Sequence, residues 1–458
     1  MAKEPKLRVA FVHPDLGIGG AERLVVDAAL GLQEEGHEVI IYTSHCDKTH
    51  CFEEVKNGTL EVEVMGDFFP TDFRKRFFII FANLRQLYLI GKVILTGRNK
   101  EHDIFIVDQL STCIPLLKLV NNHVLFYCHF PDQLLAKRTN VLKKMYRIPF
   151  DLLEQFTTYC SDEVVVNSNF TKSMYKKTFN YLNKEPGVIY PCVDTEPVPI
   201  PELDKGIGNA LIGPGRKYYL SINRFEKKKN IELAIESYAQ SLSKVDDQYK
   251  LLIVGGYDPR VHENVEYLKE LTDISKKLKI EHSVLHYSDI SKECDPKVIS
   301  STTSQAKIIF ITSISSTLKD FLIQNMELLL YTPSFEHFGI VPLEAMKYGK
   351  PVLATNTGGP LETIESYIPN KNETSATGWL RSPNVDEWAQ ALLESKDVIS
   401  KTRVSFDVNG PERVRAIFSR KAMTSQFTKN IILALQHGYS PVMSSLLVFL
   451  IAIIYAIF

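Results

Sequence analysis

Two glutamates, Glu336 and Glu344, close the segment Glu336-His337-Phe338-Gly339-Ile340-Val341-Pro342-Leu343-Glu344, with seven residues between them. The segment follows the strand-like Met326–Tyr331 and precedes the helical Ala345–Tyr348. The carboxylates therefore lie roughly two helical turns apart across a loop–helix junction. Such a pair can grip hydroxyls on different parts of one ligand. As a lone pair they would be ordinary surface glutamates, but other groups point to the same place. Arg224-Phe225-Glu226-Lys227-Lys228-Lys229 follows a strand-like run. Cations at the carboxyl end of a strand, here Arg224 and Lys229, can neutralise a diphosphate leaving group without a metal. Asn356-Thr357-Gly358-Gly359-Pro360-Leu361-Glu362 is a glycine loop after the next strand. Near the start of the chain, Gly17-Ile18-Gly19-Gly20-Ala21-Glu22-Arg23 opens a helix, where bare amides and the positive dipole end favour an anion. This is not a dinucleotide fingerprint. Glu22 stands where the third glycine belongs, and Tyr42-Thr43-Ser44 lacks the acidic ribose ligand. A tight strand–helix turn with no ligand is the plain alternative at this loop, as a solvated basic loop is at Arg224–Lys229.

Strand-like runs place these groups. In the first half they are Leu7–His13, Val39–Tyr42, Leu60–Val64, Ile104–Val107, Val124–Tyr127 and Val164–Asn167. Most are almost wholly apolar, as strands buried on both faces of a parallel sheet are, and the runs between them are long enough for crossover helices. A proline-rich step from Tyr190-Pro191 through Pro197, Pro199 and Pro201 predicts a linker. The alternation resumes with Tyr218–Ile222, Leu251–Val254, Val284–His286, Ile308–Ile311, Glu327–Tyr331 and Pro351–Ala354. The predicted architecture is α/β, with two Rossmann-like doubly wound domains facing a cleft. The expected domains are 1–200, 201–410, closing helices over 411–437 and a membrane tail over 438–458.

At 458 residues the chain exceeds one ordinary core. A net charge of −1 gives no basic field for nucleic acid. Seven cysteines without a Cys-x-x-Cys suit reduced thiols in a cytosolic setting. His45-Cys46 and His50-Cys51 lack zinc spacing, so no metal is expected. The amino terminus has no apolar core of a secretory signal. From Leu446 to Phe458 every residue is apolar. Counted from Met443 as a helix, the stretch reaches about 24 Å, against about 27 Å for an endoplasmic-reticulum bilayer core. It reads as a short anchor or a helix dipping into one leaflet. A second apolar stretch, Phe77–Leu95, is interrupted by Arg85 and Lys92 and preceded by Arg74, Lys75 and Arg76. It predicts an amphipathic helix lying either on a membrane surface or on its own sheet.

Four motifs in order, GIGGAER, RFEKKKN, EHFGIVPLE and NTGGPLET, resemble those of the retaining glycosyltransferases of GT-B fold that carry a Glu-x7-Glu motif. Tyr127-Cys128-His129-Phe130-Pro131-Asp132, Lys137-Arg138 and YTPSFEHFGIVPLEAM further resemble the dolichol-pathway mannosyltransferases that add the second (α1,3) and third (α1,6) mannose. That resemblance implies GDP-mannose as donor, with no cofactor. It implies a dolichol-diphosphate-linked mannosyl-chitobiose as acceptor, on the cytosolic face of the endoplasmic-reticulum membrane, and a complex with neighbouring pathway glycosyltransferases. It places Gly19 and Gly20 by the donor diphosphate or the acceptor entrance, and Arg224 and Lys229 on the diphosphate. Glu336 falls against the transferred sugar, Glu344 on the ribose and His129 near the reactive centre. Phe338, Gly339, Gly358 and Gly359 join the donor site, while Lys137, Arg138 and Arg85 are assigned to the acceptor or membrane side. Asn230 departs from the family, in which glycine commonly follows the lysine. Rival readings are a sibling enzyme with another lipid acceptor, a GT-B scaffold without catalysis, and a nucleotide-sugar epimerase. A front-face displacement is favoured over a double displacement, because no second carboxylate is required on the opposite face of the sugar.

Overall fold

The computed structural model describes residues 6–74, 76–136, 141–180, 184–242, 249–292, 295–401 and 404–438. Lys75, Lys137, Arg138 and the apolar segment from Met443 lie outside the described residues. The chain forms two compact units, Met1–Cys192 with Arg420–Phe458, and Val193–Ser419.

The first unit holds a parallel sheet of β1 (Arg8–His13), β2 (Glu38–Thr43), β3 (Glu61–Val64), β4 (Ile104–Asp108), β5 (His123–Cys128), β6 (Glu163–Val166) and β7 (Gly187–Val188). Their order is β3-β2-β1-β4-β5-β6-β7, the doubly wound order with its switch point between β1 and β4. Successive side chains of a strand face opposite ways. Val9, Phe11, Ile104, Ile106, Leu125 and Tyr127 enter one core with Leu24 and Ala28 of helix Gly20–Glu34. Ala10, Val12, Phe105, Val107, Val124 and Phe126 enter the other with Leu89 and Val93 of helix Phe78–Leu95.

The second unit holds β8 (Lys217–Ile222), β9 (Tyr249–Gly255), β10 (His282–His286), β11 (Ile308–Thr312), β12 (Leu328–Tyr331), β13 (Val352–Thr355) and β14 (Gly378–Arg381). Its order is β10-β11-β9-β8-β12-β13-β14, all parallel. The switch point falls between β8 and β12. The sheet is not a copy of the first, because β11 inserts between β9 and β10.

The predicted strands are present with ends shifted by up to two residues. β7 and β14 were not predicted. β7 has only two residues, and Gly378-Trp379-Leu380-Arg381 offers no apolar run.

The units also divide differently from the linear boundaries at 200 and 410, and the residues expected as one set of closing helices separate. Helix Phe406–Ile417 packs on helix Ile340–Lys347, with the Gly410 backbone against Met346. Helix Arg420–Gln436 instead joins the first unit. There Phe427 lies in the core beside Phe11 and stacks on Tyr127 at 5.9 Å. Arg420 meets Glu34 at 2.9 Å, and Thr428 donates to Glu35. The apolar faces of the two helices choose different cores, which a linear boundary cannot express.

Candidate active site

In the second unit, the loops leaving β8 and β12 meet at the switch point. Phe225 is fully buried and anchors the basic loop, its amide donating to Gly256 O and its carbonyl accepting from Asn264. This directs the short turn Lys227–Lys229 back toward β12, where Thr332 Oγ1 donates to Lys229 O at 2.7 Å. Asn230 then takes φ 49°. Glycine suits that left-handed conformation best and asparagine tolerates it, which accounts for the departure noted in the sequence. The outcome is an ion pair between Lys229 Nζ and Glu336 Oε2 at 2.6 Å, both side chains mostly buried.

The glycine loop after β13 clamps the Glu336 segment from behind. Gly359 N donates to Glu336 O at 2.8 Å. A Cβ at Gly359 would sit 1.9 Å from Phe338 O, and one at Gly358, which has φ 69°, 2.5 Å from Glu336 O. Only glycine permits that approach. Gly339 caps the following helix, and Phe338 is buried against Phe418 with ring centroids 5.9 Å apart. Phe338, Gly358 and Gly359 therefore shape the loop from beneath.

Glu344 lies on helix Ile340–Lys347 and pairs with Lys319 at 2.6 Å. Lys319 sits in the first turn of helix Ser316–Asn325, where Ser315 Oγ accepts from Leu318 N and caps the helix. Sequence reasoning missed Lys319, as no motif marks it. It also missed Gly255-Gly256, although a glycine pair after an apolar strand was a usable signal. Burial, and then the charges of Glu336 and Glu344, push the Tyr331 hydroxyl up, so both carboxylates bear on one buried ring. Arg224 is not drawn into either pair. Its side chain is 72% exposed, with Glu226 at 3.9 Å.

In the first unit, three groups meet at the switch point. His13 follows the β1 core residues, Asp108 ends β4 and His129 follows β5. His13 Nδ1 donates to Asp108 Oδ2 at 2.6 Å, and His129 Nε2 lies 2.8 Å from Asp108 Oδ1. Glu22, from the glycine loop, stands 3.9 Å from His13 Nε2. A Cβ at Gly19 would strike the Glu22 carboxylate at 2.2 Å, while Gly20 meets nothing within 4 Å. Burial opposes charge on His13, but Asp108 and Glu22 outweigh it and raise its pKa to about 9. Burial likewise opposes charge on Asp108, and His129 and His13 lower it to about 2. The sequence pointed to His129, Gly19 and Gly20 but not to His13, Asp108 or Glu22.

The loop after His129 rests on Glu154, which accepts from Asp132 N at 2.7 Å and Gln133 N at 3.1 Å. Burial raises the Glu154 carboxyl from 4.5 to about 7, against those two amides. The folded state holds this proton more tightly than the unfolded chain. Glu154 therefore costs stability progressively as pH rises from 4.5 to about 7. Glu154→Gln is expected to gain melting temperature relative to wild type across that window. Parallel thermal scans at several pH values check it, and a difference independent of pH would contradict it.

Arg85, expected on the acceptor or membrane side, is buried. Its guanidinium is buried and donates to Ser44 O at 3.2 Å and Asp67 Oδ1 at 3.0 Å, because a guanidinium on the sheet-facing stripe must find acceptors inside. Lys92 is the exposed cation of that helix. Among the described residues, no group of three or more His, Cys, Asp or Glu is placed to hold a metal ion. A cavity of about 800 Å³ opens by Lys6, His37 and Thr428, at the amino ends of β1 and β2. That is the wrong end of such a sheet for a ligand.

Two doubly wound parallel sheets, with a basic loop, a paired glutamate and a glycine clamp at one switch point, define a glycosyltransferase of GT-B fold. Residues 18–197 match Glycosyltransferase Family 4, and residues 207–412 match Glycosyl transferases group 1. Solved structures agree in fold, including a glycosyltransferase from Rickettsia africae (TM-score 0.66, 18% identity, 94% of this chain and 100% of that one). Sucrose-phosphate synthase from Thermosynechococcus elongatus is similar (TM-score 0.64, 18% identity, covering 93% and 98%). Much nearer in sequence is the alpha-1,3/1,6-mannosyltransferase ALG2 of Candida glabrata, 67% identical over 95% of each chain. The protein of the same name from Saccharomyces cerevisiae is 57% identical over 94% of this chain and 86% of its own. The chain belongs to the alpha-1,3/1,6-mannosyltransferase family.

Proposed function

We propose that the protein transfers mannose from GDP-mannose, with retained stereochemistry, to dolichol-diphosphate-linked mannosyl-chitobiose, first in α1,3 and then in α1,6 linkage. The observation that carries this reading is the 67% identity, over 95% of the chain, to a protein named for both linkages. The paired Lys229 and Glu336 supply the chemistry. The GDP diphosphate accumulates negative charge as it leaves, and Lys229, with Arg224 free to swing in, neutralises it. Glu336, released from Lys229 as the diphosphate takes the ammonium, faces the positive charge developing on the sugar. Glu344, held by Lys319, grips the ribose hydroxyls, and His129 acts at the reacting sugar. Displacement from the front face lets the leaving phosphate take the acceptor proton. The test is mass analysis of lipid-linked acceptor after incubation with GDP-mannose. Two added hexoses, the first α1,3 and the second α1,6, are expected. Transfer only from UDP-glucose, or none, would refute it.

The acceptor is a lipid, and we propose that the first unit meets it at the cytosolic face of the endoplasmic-reticulum membrane. Helix Phe78–Leu95 has length and composition enough to cross a membrane, with a third of it buried. Its neighbouring loop exposes Phe73 and Phe77, and helix Val141–Tyr159 exposes Met145 and Ile148. Phe77 and Tyr146 join the two, with ring centroids 6.2 Å apart. Arg74, Arg76 and Lys144 are exposed beside these residues. Apolar side chains ringed by cations suit an anionic lipid interface. The double variant Met145→Glu/Ile148→Glu is expected to raise KM about tenfold for acceptor presented in vesicles. The KM for a short-chain soluble acceptor stays unchanged. Equal effects on both acceptors would contradict this surface.

A further inference from the structure

Asp108 is a buried carboxylate lodged between two imidazoles, and nothing in the assigned chemistry uses it. It is 1% exposed at the carboxyl end of β4. Its Oδ2 accepts from His13 at 2.6 Å, and its Oδ1 lies 2.8 Å from His129 Nε2, a close ion-pair contact whose two atoms lack an aligned hydrogen bond. The next residue, Gln109, takes φ 67°, a strained backbone for a residue that is not glycine. Its amide reaches across to Tyr127 O, two residues before His129. His13 is fully buried, and its Nε2 lacks an aligned hydrogen bond.

Stability alone does not call for such a cluster, since apolar residues in place of buried ion pairs are often neutral or stabilising. The sheet's own core shows that alternative, with Phe11, Ile106 and Tyr127 packed immediately beneath on the same face. The charged groups stand one step beyond, where ligands bind in this class of sheet. They also form a chain. Glu22, folded over Gly19, faces His13, His13 bonds Asp108, and Asp108 meets His129. A carboxylate against one imidazole nitrogen fixes the proton there and leaves the other nitrogen with its lone pair. The ring of His129 is further held against Tyr127, with centroids 4.8 Å apart.

We propose that Asp108 is a positioning residue for mannosyl transfer, holding His129 as the Nε2–H tautomer, with buried His13, itself faced by the partly exposed Glu22, as its second partner. This rests on the reading that His129 acts at the reacting sugar. The raised basicity of His13 fits this role, because an imidazolium beside Asp108 offsets its burial.

The test compares Asp108→Asn, His129→Ala and the double variant in the full chain. Asp108→Asn keeps the shape and removes the charge. It is expected to lower kcat about 10²-fold while leaving KM for GDP-mannose unchanged. The double variant is expected to be no slower than His129→Ala, because Asp108 acts through that ring. If His129→Ala keeps full turnover, the reading of His129 falls and the positioning role with it. If His129→Ala is impaired and Asp108→Asn is not, or if the two losses multiply, only the role of Asp108 is overturned. Should Asp108→Asn not fold, nitrogen NMR of the histidine-labelled wild-type protein decides, with His129 assigned by its absence from His129→Gln. A single Nε2–H tautomer is expected, and an average of tautomers or the Nδ1–H form overturns the proposal.

Discussion

Lys229→Ala is expected to lower kcat for mannosyl transfer by about 10²–10³-fold, the size of loss seen when one preorganised charge-stabilising donor is removed from an active site. The lysine is not a mobile surface cation. Its backbone is held by Thr332, its side chain is 17% exposed, and its ammonium is set 2.6 Å from Glu336. A charge fixed beforehand needs no reorganisation as the diphosphate departs. Arg224 cannot replace it from where it stands, because it is largely exposed and tied to no site residue beyond Glu226. Lys229→Arg is expected to rescue little, since a planar, forked guanidinium does not reproduce the compact point charge of an ammonium. Initial rates at saturating GDP-mannose, with folding checked by melting temperature, measure the effect. Turnover near that of wild type would remove the leaving-group role.

Glu336→Ala and Glu344→Ala are expected to fail in different ways. Glu336 shares its pair with Lys229 and has its backbone clamped by Gly358 and Gly359, which holds its carboxylate in one place. Its loss is expected to lower kcat about 10²-fold with a smaller change in donor KM. Glu344 is held by Lys319, on a helix that Phe406–Ile417 braces through Gly349 and Gly410. Its expected role is to accept hydrogen bonds from hydroxyls that do not react. Losing a hydrogen bond to a charged group costs about 1.5–3 kcal/mol, so donor KM is expected to rise roughly tenfold or more with kcat less affected. Full kinetics against GDP-mannose separate the two. Equal changes in donor KM alone would contradict the division of labour.

The sequence by itself determined what local chemistry and period can carry. Apolar runs such as Phe105–Val107 and Leu251–Val254 declared strands buried on both faces, and the glycine pairs declared turns that backbone must approach. Period two also aligns the three site residues of the first unit. Counting by twos from Val9 and Phe11, from Ile104 and Ile106, and from Leu125 and Tyr127 puts His13, Asp108 and His129 on one face.

Only the tertiary structure decided which of these strands are neighbours. β1 and β4 are separated by some ninety residues in the chain, and their adjacency makes the His13–Asp108 contact. Lys229 and Glu336 meet across 107 positions and Lys319 and Glu344 across 25, on elements whose spacing in sequence says nothing of distance. The insertion of β11 beside β9 and the return of helix Arg420–Gln436 to the first core are of the same kind. Propensity and period act along the chain. Strand order and charge pairing are settled by which long-range contacts bury the most apolar surface and leave no charge without a partner, and that sum exists only in the folded molecule.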